Sequence, residues 1–141
     1  MDSKRMILAV VLVFVVLVVA GFLIHGVWLG STYQDMRNGD SPFRTPDALQ
    51  HRLWLIWLSD LLYAILFVWV YVRGREDSPW VGQGLRYGVL MTLFTIVPST
   101  LNDYAVYKVP HMLAVKWMAG GGVVLVILGL LVAAICQKKI A

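Results

Sequence analysis

Four apolar runs, at 6–29, 53–72, 85–101 and 112–136, take up most of the chain and constrain it more than any other feature. At about 1.5 Å of rise per residue each run can cross a hydrocarbon layer of about 30 Å as a helix, the third with help from its polar flank. With 60% hydrophobic and 14% charged residues in 141, the chain is far more apolar than a soluble domain. The expected fold is therefore all-α: an integral membrane four-helix bundle, one transmembrane domain over 1–141. Its helices are expected at about 6–30, 46–73, 79–103 and 110–137, with an extramembrane loop at 31–45. No length is left over for a separate soluble domain.

The third run differs from the rest in carrying small and polar residues at helical spacing: Gly84, Gly88, Thr92, Thr95, Ser99 and Asn102. Steps of three and four place all six on one face of an α-helix. In a membrane such a face is expected against other helices, where backbones approach closely and hydroxyls bond across. On this reading the third helix is the most buried of the four. Pro98 removes one donor and frees the carbonyl of Phe94, so some partner is expected to sit there. Gly26 and Gly30 make a GxxxG pair near the end of the first run. Gly121 and Gly122, within Gly120-Gly121-Gly122, read as a close-packing notch in the fourth.

Lys4 and Arg5 before an apolar run, with Val18-Val19-Ala20 after it, have the look of a secretory signal. Hydrophobicity that continues through Phe22-Leu23-Ile24 to Trp28-Leu29 favours an uncleaved helix instead. Turn formers follow, Asn38-Gly39-Asp40-Ser41-Pro42, and then Thr45-Pro46-Asp47, which reads as an N-cap, a first-turn proline and a dipole-matched acid. Ser78 and Pro79 repeat that logic before the third helix, and Pro110 can open the fourth.

The net charge of +4 invites a nucleic-acid reading, but the basic residues stand in twos and threes at helix ends, so none is expected. Lys4, Arg5, Arg73, Arg75, Arg86, Lys138 and Lys139 share one side, against Arg37, Arg44, Arg52, Lys108 and Lys116 on the other. That bias of seven to five places both termini in the cytoplasm. Trp28, Tyr33, Trp54, Tyr104, Tyr107 and Trp117 would then mark the outer interface, and Trp69, Tyr71, Trp80 and Tyr87 the inner one.

Depth sorts the remaining polar residues. His25, Asp60, Thr95, Ser99, Asn102, Asp103 and Lys116 all fall in the outer half and form the expected ligand-binding or polar cluster. Asp60 is the only acid within the core of any apolar run, and an ionisable group there costs at least ~2.5 kcal/mol. It either holds the bundle together, through Lys116, His25 or the hydroxyls and amide of Ser99, Thr95 and Asn102, or serves ligand binding or proton coupling. A hydrogen-bonded Asp60 predicts that Asp60→Asn loses little stability and Asp60→Leu more. The single cysteine, Cys136, excludes an internal disulfide and a CxxC motif. His25, His51 and His111 lack the paired spacing of a zinc site, and there is no G-x-S-x-G elbow or phosphate loop. Neither a metal nor a cofactor is expected, nor catalysis.

His25-Gly26 with Tyr33, then Gly84-Leu85-Arg86-Tyr87-Gly88 and Asn102-Asp103-Tyr104, resemble a family of small four-helix bacterial inner-membrane proteins of unknown function. The resemblance implies that location and topology, and carries over no functional residues. In length the chain also resembles the small multidrug resistance transporters. Their helix-one glutamate has no counterpart here, where the only comparable acid is Asp60 in the second helix.

Two functions follow as expectations. One is a non-enzymatic binding or accessory protein, whose outer polar pocket takes a small ligand, a lipid headgroup or a partner membrane helix. The other is a proton-coupled small-molecule transporter using Asp60, working as a homodimer. The apolar inner halves of helices one, two and four favour the first.

Overall fold

The computed structural model describes residues 3–39 and 41–137, and among them it is all-helical with no strand. Lys138 and Lys139, expected to close the fourth helix, and Asp40 of the first turn cluster lie outside the described residues. Four helices are long and apolar enough to cross a membrane: α1 (Ser3–Trp28), α4 (Leu53–Gly74), α5 (Trp80–Val106) and α6 (His111–Cys136). Two short ones, α2 (Gly30–Arg37) and α3 (Pro46–Gln50), lie in the connection between α1 and α4. The connection therefore holds helix where 31–45 was expected as loop, because Leu29, Tyr33 and Met36 fall on one face and share an apolar cluster.

The expected helix over 46–73 is two helices. Thr45 caps α3, its Oγ1 accepting from the Ala48 amide at 3.4 Å, with Pro46 in the first turn. The chain leaves helical geometry at Arg52, whose guanidinium donates to the Ala48 carbonyl at 2.8 Å and so closes α3 before the apolar span begins.

α6 is the centre of the bundle, packed on α1, α4 and α5. A third of its most apolar window is buried, against 6% for α5, so the third membrane-length helix is not the most buried one, as its stripe suggested. The reason is geometric. The stripe of α5 is one narrow face turned mainly to α6, whereas α6 is covered from several sides. Its three consecutive glycines stay helical. The core of the half nearest the termini joins Ala9 and Val13 of α1, Ala64, Phe67 and Val68 of α4, and Leu125, Leu128, Val132 and Ala133 of α6.

The α5–α6 contact is backbone against backbone. A Cβ on Gly84 would stand 2.8 Å from the Gly129 carbonyl oxygen, and one on Gly129 would run into the Gly84 carbonyl. Gly121 and Gly122 continue the seam, with Ile96 and Thr92 at 3.0 and 3.2 Å from their built Cβ positions. The GxxxG pair of α1 has no such role. A Cβ on Gly26 would meet the Phe22 ring of its own helix, and one on Gly30 nothing within 4 Å.

Past Thr92 the expected stripe departs from the structure by one residue. The helix widens into a π turn at Thr92–Ile96, with the Val97 amide bonded to the Thr92 carbonyl, immediately before Pro98. A π turn takes up one extra residue, so the inward line runs Gly84, Gly88, Thr92, Ile96, Thr100, Asp103. Thr100 is buried and Ile96 packs on Gly121, while Ser99 and Asn102 are exposed. Thr95, displaced sideways, meets α4, its hydroxyl 3.5 Å from the Tyr63 hydroxyl.

The turn between α4 and α5 is held by a side chain that the cap pattern did not indicate. Pro79, not Ser78, stands at the N-cap, with no side-chain cap. Buried Gln83 reaches back instead, accepting from the Glu76 amide at 2.9 Å and donating to the carbonyls of Glu76 and Ser78 at 2.8 and 2.6 Å. Arg75 ties this turn to the last turn of α6, donating to the Cys136 carbonyl at 2.6 Å.

Candidate functional site

At the end of the bundle that carries the connection, a small apolar seat of Leu29, Val109 and Leu113 is covered by Ile24, Tyr33, Met36, Phe43 and Trp117. Tyr33 is its polar centre. Its hydroxyl lies 2.7 Å from Trp117 Nε1 on α6 and 2.7 Å from His25 Nδ1 on α1, and Arg37 Nε donates to its backbone carbonyl at 3.1 Å. The rings are packed as well: His25 stacks on Tyr33, Phe43 meets Tyr33 edge-on at 5.3 Å, and Phe43 meets Trp117 edge-on at 6.2 Å.

Residues 25 and 33 would stand about 12 Å apart along a straight α-helix. Here α1 ends in a π turn, Phe22–Trp28, with the Leu29 amide bonded to the Ile24 carbonyl at 2.8 Å, and α2 restarts at Gly30. The widened turn redirects the chain and brings Tyr33 onto His25. Burial raises the Tyr33 pKa above the ordinary tyrosine value, opposed by the hydrogen bond from Trp117, so the phenol stays a neutral donor at physiological pH.

The seven residues expected to cluster do not bond to one another. His25 is engaged by Tyr33. Thr95 donates to the Met91 carbonyl at 2.7 Å and Ser99 to that of Ile96 at 3.1 Å. Asn102 is exposed, and Asp103 and Lys116 are half-buried near the ends of their helices. Asp60 is half-buried on the line of α4 that continues through Ala64, Phe67, Val68 and Tyr71 into the core. No hydrogen bond or ion pair joins it to Lys116, His25, Ser99, Thr95 or Asn102. Nor does Asp60 line the shallow groove of about 380 Å³ on α4, formed by Leu55, Leu58, Ser59, Leu62, Tyr63 and Leu66.

Trp117 reads from the sequence only as an interface aromatic, Tyr33 as one that also enters the family resemblance beside His25, and Phe43 carries no signal. One signal was available: Trp117 can only donate, so a buried indole there needed an acceptor from another element. A second aromatic set lies deeper, where Tyr63, Phe67, Tyr87 and Tyr71 bridge α4 and α5 and the Tyr87 hydroxyl donates to the Phe67 carbonyl at 2.6 Å. Among the described residues no group of three or more His, Cys, Asp or Glu could hold a metal ion.

The fold and this end together define a helical chain with four helices of membrane-crossing length and apolarity, capped at one end by a hydrogen-bonded aromatic cluster. No protein-family model, no curated protein and no solved structure matches it.

Proposed function

We propose that the chain is a multi-pass protein of a bacterial inner membrane, with both termini cytoplasmic, that acts as a non-enzymatic binding or accessory protein through its connection end. The observation that carries this reading is an asymmetry between the two ends. The connection end presents an exposed histidine ring, oriented by Tyr33 and Trp117, beside an apolar seat. The terminal half is closed by an apolar core and by direct backbone contact between α5 and α6. A route through the bundle would have to part that contact. Binding at one end needs no such movement, and a small ligand, a lipid headgroup or a partner membrane helix could each use that end. Native mass spectrometry of the protein in lipid nanodiscs tests it: a co-purifying species lost in His25→Ala and kept in Asp60→Asn is the expected result. Retention in His25→Ala places the site elsewhere.

A second reading, proton-coupled transport as a homodimer, draws on Asp60. It lies on the bundle-facing line of α4 and forms no hydrogen bond or ion pair with a described residue. Solute-driven proton uptake in liposomes that disappears in Asp60→Asn would favour this reading over the first.

A further inference from the structure

We propose that the Trp117–Tyr33–His25 series is a pH-operated latch, closed when His25 is neutral and opened by acid, that holds the connection down on the end of the bundle. The device stands apart from whatever that end binds, because it follows from the direction of the hydrogen bonds alone.

An indole N–H can only donate, so at 2.7 Å the Tyr33 oxygen must accept from Trp117. The phenol has one proton of its own. Among the described residues its only other hydrogen-bond neighbour is His25 Nδ1, also at 2.7 Å, so the proton points there. His25 Nδ1 is thus the acceptor, and the neutral ring carries its hydrogen on Nε2, a tautomer assigned by the network.

Protonation of His25 puts a hydrogen on Nδ1 as well. Two donors then face each other across the same short contact. If the phenol turns to accept from both neighbours, its own O–H loses the His25 acceptor, and the apolar side chains packed there, Leu29, Phe43, Val109 and Leu113, offer no other. The closed geometry uses the neutral ring, so acid releases Tyr33 and neutral pH keeps it seated. Tyr33 is the residue that ties α2 to both α1 and α6, and Phe43 packs on both Tyr33 and Trp117. Its release frees the connection and uncovers the seat.

The charged groups of the elements packed here do not pre-empt the effect. Asp35 and Arg37 lie on α2, Arg44 in the connection, Asp103 on α5, Lys108 before α6, His111 at its start and Lys116 beside Trp117. None bonds to His25, and Arg37 spends its Nε on the Tyr33 carbonyl.

The test uses the whole protein in nanodiscs, labelled with 5-fluorotryptophan, with the Trp117 resonance assigned through Trp117→Phe. As the pH falls from about 8 to about 5, that resonance should titrate once, within the range in which an imidazole changes charge. Amide exchange over residues 30–39, corrected for its intrinsic pH dependence, should rise roughly tenfold relative to α6, a change of about 1.4 kcal/mol in opening. His25→Gln, which keeps an acceptor but cannot protonate, and Tyr33→Phe, which lacks the hydroxyl, should both show a flat Trp117 resonance. A flat wild-type titration overturns the proposal, and so does one that survives in either variant.

Discussion

Gly88 lies so close to Leu125 that a Cβ built on it would stand 2.6 Å from the Leu125 carbonyl oxygen. The obstacle is backbone, which no rotamer change can move aside. Gly88→Ala and Gly84→Ala should each lower stability by about 1–3 kcal/mol, as overpacking of a tight core does. Gly82→Ala, with nothing within 4 Å, should be neutral or gain up to about 1 kcal/mol of helix propensity. Thermal unfolding in one detergent compares the three, and equal losses would contradict the seam.

Gln83→Leu should destabilise the α4–α5 turn by about 1–3 kcal/mol, since it leaves the Glu76 amide and two carbonyls without their partner. The neighbouring Arg86–Glu76 ion pair, at 2.8 Å, is exposed on both sides, and Arg86→Ala should have no resolvable effect. Unfolding midpoints of the two variants should separate clearly.

The π turn makes a prediction about labelling. With a one-residue shift after Thr92, Thr100→Cys should resist a membrane-permeant maleimide, while Ser99→Cys and Asn102→Cys react. An uninterrupted α-helix predicts the reverse. Pro98→Ala restores a donor for the Phe94 carbonyl and should move reactivity toward the unshifted pattern.

Alkaline pH should release the same end of the bundle that acid releases, for a different reason. Burial raises the Tyr33 pKa above the unfolded value of about 10, so its contribution is complete below about pH 10 and is lost as pH rises through the folded value. The exchange rates of residues 30–39 should therefore climb again above about pH 10 in wild type and not in Tyr33→Phe. An identical alkaline response in the variant would assign the effect to another group.

Asp60 reverses an expectation. Hydrogen-bonded within the bundle, it would tolerate Asn better than Leu. Without such a bond to a described residue there is nothing for Asn to preserve, and Asp60→Leu should be at least as stable as Asp60→Asn. Unfolding of the two variants in one detergent decides it, and a loss of 3 kcal/mol or more (about the cost of breaking a buried pair) in Asp60→Leu alone would mean a partner exists.

The existence of four membrane-length helices was legible in the composition of the runs alone, because a long apolar helix is a property of a segment in its solvent and needs no neighbour. Capping by Thr45 and the close-packing roles of Gly84, Gly88, Gly121 and Gly122 were legible for a similar reason: local geometry restricts which residues can stand there. The lower half of the α5 stripe was not. A single π turn adds one residue, and every periodicity argument beyond it then points to the wrong face, as Ser99 and Asn102 show. Nor could the sequence reveal that Tyr33, Trp117 and His25 meet, since that depends on how α1 turns at Leu29 and on which helix takes the centre of the bundle. Segment-level chemistry is written in the order of residues. Partnership is decided by packing, where a backbone-to-backbone approach at the glycines and a widened turn at another site set which side chains face each other.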